Sequence, residues 1–464
     1  MRCRLNGLAL SLCLVLLGST AFSQDAGSGQ AYSLKDLTKT ALGAESTAER
    51  DEAFENLKQI FTFDPSAALA LDTVLVERGG RENILQSLDF LHSAASQGNV
   101  AALRRLGDRY REGEEFGLDP KKSIAIYEEA ASKADARAFS RLGEIYLAGK
   151  LVTADVPKGI ALLEQALEMG DTSAAVRLGD VYRDKMEPKL DPRRAMDYYE
   201  MAAKAGDVRA FGRLGDSYRD GEVAKIDRVK ADLQYRKAIE LGDERARIKL
   251  AKLLLQGTNA QQKAGIKVLQ SAIDRGDSDA VKLLAMAHMR GEGVPRDPAK
   301  ALRILEDKAK SGDSLSALTL IQLQLTPAAK GGAGNVAGAK LALRDYSPIL
   351  PAEDIRTETL MLEFAAPFNA ARVDALVAEF AALELEHKRA AVTRLRAINI
   401  NYYVAVMQDM MKRNRLYEGP ISGQLSSASI VAFARMCRLQ QKETECREGP
   451  LSYRARQFLQ TVMQ

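Results

Sequence analysis

The chain has 464 residues, more than one ordinary hydrophobic core accommodates, so its length predicts several domains or an elongated repeat array. Lysine and arginine total 66 against 62 aspartate and glutamate, which gives a formal net charge of +4. This balanced surface lacks the concentrated basic excess of nucleic-acid-binding proteins, so nucleic acid is excluded as an expected partner.

The first 23 residues have the pattern of a secretory signal peptide. Arg2 and Arg4 precede an apolar stretch from Leu8 to Leu17, and Ala21-Phe22-Ser23 places small residues at both ends of a cleavage tripeptide. The alternative is a membrane anchor, but this stretch is about half of the roughly 20 residues that a spanning helix needs. We predict cleavage before Gln24, a periplasmic location and no membrane span in the mature protein.

Residues 24–86 precede the repeats. Residues 24–33 are rich in Gly, Ser, Gln and Ala, a composition typical of a disordered leader. From residue 34 onward, apolar residues recur at helical spacing, for example at Phe54, Leu57 and Ile60. This segment is therefore predicted to form helices that cap the first repeat.

An internal repeat is the strongest signal in the sequence. The motif Ala-x-x-x-Leu-Gly-x-x-Tyr occurs four times at intervals of 36 residues, and weaker copies follow from Ala246 and Ala280. A Gly-Asp pair or a close relative recurs in phase with it, as at Gly170-Asp171 and Gly206-Asp207. The four full copies are Ala102–Tyr110, Ala138–Tyr146, Ala174–Tyr182 and Ala210–Tyr218.

Each unit is predicted to form two helices, A and B. Ala and Leu share one face of helix A, and Gly after Leu lets helix B approach closely, which places Gly179 at a helix–helix contact. Helix B begins with aspartate as cap and proline in the first turn, and a left-handed glycine ends the unit. The predicted starts are Asp119-Pro120, Asp191-Pro192 and Asp297-Pro298. Tyrosines recur on helix B, predicted as core residues with a binding surface as the alternative: Tyr127, Tyr198, Tyr199 and Tyr235.

This pattern resembles Sel-1-like repeats, the longer relatives of tetratricopeptide repeats. The resemblance covers about residues 87–325 and rests on the repeated motif and on the turn from Gly291 to Asp297. One helix pair cannot bury its apolar faces alone, so neighbouring pairs must stack. The resemblance implies an all-α helix-turn-helix solenoid that binds other proteins.

A change in composition ends the array. Pro327 to Gly338 is rich in Gly and Ala and predicts a flexible linker, and Pro348 and Pro351 interrupt helical patterns after it. Ala370 to Ile398 has a largely helical pattern. We therefore predict a linker with helices over residues 326–397.

The last segment, residues 398–464, carries a second resemblance. It is similar to the small three-helix peptidoglycan-binding domain, on the strength of Gln408, Gly419, Gly423, Ser429 and Ala432. Ser426 replaces a glycine usual in that family, and Met436 stands where its phenylalanine is expected. The resemblance implies a three-helix fold that binds peptidoglycan or another glycan, or an interaction module that has lost this ligand.

Two cysteines are expected in the mature protein, because Cys3 and Cys13 lie in the signal peptide. In an oxidising compartment an even pair such as Cys437 and Cys446 most simply forms a disulfide, with free buried thiols as the alternative. A metal site would need further His or Cys ligands nearby, which the tail does not supply. We predict a Cys437–Cys446 disulfide, no metal and no cofactor.

The sequence contains no recognised catalytic motif. A Gly-x-Ser-x-Gly elbow, a His-Glu-x-x-His helix and a phosphate-binding loop are all missing from it. The three histidines, His92, His288 and His387, are scattered, and His288 occupies the tyrosine position of its repeat, which predicts a packed core residue. The chain is therefore not expected to be an enzyme.

Two functions follow from these observations as hypotheses. The first is an exported scaffold that binds envelope proteins through its repeats, in exopolysaccharide or cell-envelope assembly. The alternative is a peptidoglycan-associated module whose repeats recruit or regulate a cell-wall enzyme. The ligand of the tail distinguishes the two.

Overall fold

The structure is a computed structural model that describes residues 23–24, 31–113, 117–183, 191–326 and 334–462. Its elements are almost entirely helices, which confirms the predicted all-α fold. The strands in the described ranges are Ser23–Gln24 and Ala31–Tyr32, which pair antiparallel. The leader predicted as disordered thus contains one short backbone pairing. Residues 25–30 and the predicted signal peptide up to residue 22 lie outside the described residues.

The chain divides into two compact units, residues 1–243 and 244–464. The first unit contains α1 (Leu34–Gly43), α2 (Thr47–Phe61), α3 (Ala67–Arg78), α4 (Arg81–Ser96), α5 (Val100–Glu112), α6 (Lys122–Ser132), α7 (Ala136–Ala148), α8 (Val156–Glu168), α9 (Ser173–Arg183), α10 (Pro192–Lys204), α11 (Val208–Asp220) and α12 (Arg228–Glu240).

The second unit is helical as well. It contains α13 (Arg245–Leu255), α14 (Asn259–Ile273), α15 (Ser278–Arg290), α16 (Pro298–Lys310), α17 (Ser314–Leu325), α18 (Val336–Tyr346), α19 (Ala352–Phe364), α20 (Val373–Ala381), α21 (Leu385–Ile398), α22 (Ile400–Arg413), α23 (Ser427–Leu439), α24 (Glu443–Cys446) and α25 (Tyr453–Val462). A short 3₁₀ helix, Ser347–Ile349, follows α18.

The helices of the first unit pair as the repeat predicts. α5 packs on α6, α7 on α8, α9 on α10 and α11 on α12, so each full motif begins a helix A that meets its own helix B. The motif alanines are fully buried and the motif leucines are at most 5% exposed: Ala102, Ala138, Ala174, Ala210, Leu106, Leu142, Leu178 and Leu214. Small side chains beside leucines therefore form the seam between helices.

A left-handed residue marks the junctions between repeats, and a capping residue follows it at Asn99, Asp135, Asp207, Asp277 and Asp313. Gly98 and Gly170 have φ angles of 87° and 94°, in a region that residues with a Cβ rarely adopt. Asn99 then caps the next helix A, because its side-chain oxygen accepts a hydrogen bond from the amide of Ala102 at 3.0 Å. The Gly-Asp marker in the sequence is thus the point where one unit ends and the next begins.

Ala134 occupies such a junction with a φ of 62°. Replacement of Ala134 by glycine is expected to raise the free energy of unfolding by about 0.5–1 kcal/mol, because glycine relieves the left-handed strain. The matched change Gly170→Ala is expected to lower it by a similar amount, since no atom lies within 4 Å of the added Cβ and only the backbone is strained. Urea denaturation measures both, and a destabilised Ala134→Gly variant would show that the backbone at Ala134 is not strained.

The starts of helix B follow the prediction in part. Asp191 caps α10 by accepting a hydrogen bond from the amide of Arg194 at 3.1 Å, with proline in the first turn. The predicted start at Asp119 is wrong by two residues, because α6 begins at Lys122. The Asp119 carboxylate instead accepts from the amide of Lys121 at 3.0 Å, which closes a turn ahead of the helix.

In the second unit, helices α15 to α25 contribute to one hydrophobic core. The segments predicted as 326–397 and 398–464 pack together there, with the Phe364 and Tyr402 ring centroids 5.0 Å apart. Glu358 is only 1% exposed and accepts two hydrogen bonds from the Arg394 guanidinium, at 2.6 and 2.7 Å. The bidentate geometry pairs both terminal nitrogens of the guanidinium with the buried carboxylate, and Nε of Arg394 has no hydrogen-bond partner among the described residues.

The predicted linker is shorter than its composition indicated. Residues 327–333 lie outside the described residues, but α18 begins at Val336, within the predicted linker. Asn335 caps it by accepting a hydrogen bond from the amide of Gly338 at 2.9 Å, and Ala339 and Leu343 are buried in the core. The cap and this apolar face offset the low helix propensity of glycine.

Candidate protein-interaction face

Helix A carries a second repeated pattern, Arg-Leu-Gly followed by Asp or Glu. Each of these arginines forms an ion pair with an aspartate or glutamate on the equivalent helix of the preceding repeat. The N···O distances are 3.5 Å for Arg105–Asp72, 3.1 Å for Arg141–Asp108, 2.8 Å for Arg177–Glu144 and 2.9 Å for Arg213–Asp180. We call these pairs the arginine ladder, and the surface of α5, α7, α9 and α11 that carries it the helix A face.

The arginine ladder is partly open to solvent. The side chain of Arg177 is 41% exposed and that of Glu144 is 22% exposed. Partly exposed ion pairs of this kind contribute at most about 1 kcal/mol each to stability. The ladder therefore contributes little to stability and leaves charged groups accessible from solvent.

Buried tyrosines of helix B donate hydrogen bonds to carboxylates of the ladder from the core side. The hydroxyl of Tyr127 donates to Asp108 at 2.7 Å, and that of Tyr199 donates to Asp180 at 2.8 Å. Burial, followed by the negative charge of Asp108, raises the pKa of Tyr127, so its hydroxyl keeps the proton that it donates. Tyr127, Tyr199 and Tyr235 are fully buried, which confirms their prediction as core residues.

Tyr198 differs from the other helix B tyrosines, because it is only half-buried. Its ring stacks on Tyr182 with centroids 5.8 Å apart, and its hydroxyl donates to Glu164 at 3.3 Å. Burial, followed by the charge of Glu164, raises the pKa of Tyr198 to about 12. The Tyr198 hydroxyl is thus a neutral polar group at neutral pH, next to the core of its repeat.

The motif glycines make room for these tyrosines. A Cβ on Gly179 would lie 2.5 Å from Cε1 of Tyr199, which confirms the predicted place of Gly179 at the contact between helices A and B. Gly215 meets Tyr235 in the same way. Helix B therefore approaches helix A closely enough for the tyrosine hydroxyl to reach the next residue of the motif.

The ladder begins outside the predicted repeats, at Asp72 on α3. Asp72 is fully buried and accepts two hydrogen bonds from Arg109, at 2.6 and 3.0 Å. The hydroxyl of Ser87 donates a third at 2.6 Å. The buried cluster around Asp72 was not predicted from the sequence. It could have been found from the position of Asp72 inside an apolar run, because a carboxylate buried there must be paired.

Gln408 organises the tail. Its side-chain oxygen accepts hydrogen bonds from the amides of Ser422 and Gly423, both at 3.0 Å, and its amide donates to the Gln424 carbonyl at 2.9 Å. Ser426, in place of the usual glycine, caps α23. Of the residues that carried the second resemblance, Gln408 and Gly423 are thus joined by a hydrogen bond, and the polar groups of Gln408 are used in holding the turn.

Sγ of Cys437 and Sγ of Cys446 are 2.04 Å apart, and the Cα atoms are 6.3 Å apart. Both residues are buried in the core of the second unit, next to α25. We expect thiol titration of the unfolded, non-reduced mature protein to find no free thiol. Reduction is expected to lower the free energy of unfolding of this unit by roughly 2–3 kcal/mol, because a short closed loop restricts the unfolded chain.

Either of two results would contradict the predicted disulfide. The first is two free thiols per chain, and the second is an unfolding curve that reductant does not shift. The double variant Cys437→Ser with Cys446→Ser serves as the control, since reductant cannot act on it.

His92, His288 and His387 lie on three different helices, α4, α15 and α21. His288 is 5% exposed, which confirms its prediction as a core residue, and Nε2 of His387 lies 3.0 Å from Asp354. In the described ranges, no three His, Cys, Asp or Glu side chains are grouped so that they could hold a metal ion.

Among the described helices, none has both the length and the apolar character to cross a bilayer.

The sequence model of the Sel1 repeat matches residues 69–99, 100–135, 137–171, 172–207 and 278–306. These matches confirm the predicted repeats within residues 100–207 and 278–306, while residues 208–277 are not matched; such repeats are suited to protein–protein interaction and generally belong to non-catalytic scaffolds. The first match covers α3 and α4, so the array extends N-terminally beyond the predicted boundary at residue 87. No curated protein sequence matches the chain.

Three solved structures are similar to the chain. A Sel1 repeat protein from Oxalobacter formigenes is 27% identical over 52% of this chain and 98% of its own, with a TM-score of 0.42. The protective antigen c5321 of uropathogenic Escherichia coli, described as having an SLR fold, is 21% identical over 88% and 93%, with a TM-score of 0.43. Yeast Tom70 is 12% identical over 82% and 92%, with a TM-score of 0.43.

Proposed function

From the premise that the chain carries Sel1 repeats, we propose that it is an exported scaffold that binds cell-envelope proteins through its helix A face. The observation that carries the proposal is the arginine ladder, a row of partly exposed charges at one position of successive repeats. Such a row offers an extended surface with many polar contacts, which fixes the register and choice of a protein partner. Exopolysaccharide or cell-envelope assembly is the process in which we place it.

Photo-crosslinking in cells tests the interaction. A crosslinking amino acid at Arg177, on the ladder, is expected to capture envelope proteins. The same amino acid at Arg193, exposed on α10, is the control and is expected to capture none. Equal capture from both positions, or from neither, would contradict binding through the helix A face.

The proposed export rests on the first 23 residues of the sequence. Mass spectrometry of the protein from fractionated cells is expected to find Gln24 as the first residue, in the periplasmic fraction. A chain that keeps Met1 and stays in the cytoplasm would remove the basis for an envelope role.

The second candidate function is a peptidoglycan-associated module. It is favoured by the Gln408 contacts with the turn at Ser422 and Gly423, which join residues shared with peptidoglycan-binding domains. Co-sedimentation of the full mature chain with purified peptidoglycan separates the two proposals, with muramidase-digested wall as the control. A chain that sediments only with intact wall supports this second function, and a chain that stays in the supernatant argues against it.

A further inference from the structure

A recess of about 480 Å³ opens on the helix A face of the first unit, between α5, α7, α9 and the start of α11. Among the described residues that line it, the charged ones are predominantly arginine, and none is a lysine or carries an aromatic ring. The arginines are Arg104, Arg137, Arg141, Arg177 and Arg209. Glu144 and Asp171 are the acidic residues of the lining.

The carboxylates around the recess are occupied by the protein itself. Asp171 is only 9% exposed and accepts hydrogen bonds from the hydroxyls of Ser140, at 2.6 Å, and Ser173, at 2.7 Å. Asp135, whose side chain is 14% exposed, caps α7 through the amide of Ala138 at 2.9 Å. These groups have little capacity left to attract a cation from solvent.

The arginines are the more accessible partners. The side chain of Arg209 is 51% exposed while its partner Asp207 is 10% exposed, and Arg177 is likewise more exposed than Glu144. Arg137 is exposed and makes no ion pair or hydrogen bond within the described part of the chain. Each guanidinium has five N–H donors, so pairing with one carboxylate leaves others open. The five arginines of the lining are nearly balanced by nearby carboxylates, but the arginines are the more exposed groups. The charge that a ligand meets in the recess is therefore positive.

We infer that this recess binds an acidic segment of a partner protein, through aspartate and glutamate side chains. The planar arginine fork matches a carboxylate with two parallel hydrogen bonds, which lysine cannot provide. The described lining residues offer no aromatic platform on which nucleic-acid bases could stack. Met169, 39% exposed at the rim, supplies an apolar contact for the aliphatic part of such a segment. The inference rests on the proposed function and names the partner's chemistry.

Fluorescence anisotropy with the full mature chain tests it. The probe is a labelled twelve-residue peptide in which Glu and Asp alternate with Gly and Ser, and its twin carries Gln and Asn instead. The acidic peptide is expected to bind at least about tenfold more tightly than the twin at low salt. The difference should shrink between 0.05 and 0.3 M NaCl, because salt screens charges over about 10 Å at 0.1 M.

Charge-removing variants locate the site. Arg137→Gln is expected to weaken acidic-peptide binding about threefold, and the double change with Arg209→Gln about tenfold, as expected for partly exposed ion pairs. Arg193→Gln, on the exposed side of α10, is the matched control and is expected to bind as the parent does. Neither exposed arginine lies in the core, so circular dichroism should show unchanged helix content.

Three results would overturn the inference: equal binding of both peptides, equal effects of Arg137→Gln and Arg193→Gln, or tighter binding of polygalacturonate than of the acidic peptide. The last result would assign the recess to an anionic glycan. Crosslinking from position 177 tests the scaffold function independently of the peptide-binding experiment. If it captures envelope proteins while the acidic peptide does not bind, the acidic-segment inference fails and the scaffold function stands.

Discussion

Replacing Asp72 by alanine is expected to lower the free energy of unfolding of the first unit by about 3–5 kcal/mol, the range for breaking a buried ion pair. Asp72 is fully buried and accepts hydrogen bonds from Arg109 and Ser87. Its removal leaves the Arg109 guanidinium, 14% exposed, without its bidentate partner and largely cut off from water. Equilibrium denaturation in urea measures the loss.

The matched control for this prediction is Asp51→Ala. Asp51 also pairs with an arginine, Arg78, at 3.0 Å, but its side chain is 62% exposed. Its loss is expected to cost less than about 1 kcal/mol, because water replaces the partner. Similar losses in the two variants would mean that the Asp72 pair is not buried as described.

Replacing Gly179 by leucine is expected to cost about 3 kcal/mol or more, at the upper end of overpacking effects. The first added atom would lie 2.5 Å from Cε1 of Tyr199. Helices α9 and α10 must then separate, which also pulls the Tyr199 hydroxyl from Asp180. Because each repeat contacts mainly its neighbours, the loss is expected to concentrate in the repeats beside α9.

Gly43→Leu is the control for added volume, since no atom lies within 4 Å of a Cβ at Gly43. It is expected to change stability by less than about 0.5 kcal/mol, as is usual for surface positions. Hydrogen exchange of the α9 and α10 amides should speed up in the Gly179 variant only. A Gly179→Leu variant that melts like the parent would show that the two helices are not in close contact there.

Much of the repeat fold follows from the sequence because its determinants are local. The junction at Gly206 needs a residue that adopts a positive φ, and Asp207 after it caps the next helix by accepting a hydrogen bond from the amide of Arg209. The contact of Gly179 with Tyr199 lies inside one helix pair, and the equivalent contact recurs at Gly107 and Gly215, while Gly143 meets Leu163 instead. Helix start and stop signals and apolar spacing therefore predict these features from the residues alone.

Contacts between distant segments were decided by the tertiary structure. The pairing of Arg177 with Glu144 joins separate helices, and the arginine by itself has the character of a solvated charge. Burial of Asp72 depends on α5, which brings Arg109 over it. The predicted linker is wrong from Val336 onward for the same reason, because glycine content indicates local propensity while the core that holds α18 is built by other helices. Local preferences of about 1 kcal/mol per residue are overridden by burial of apolar surface worth more.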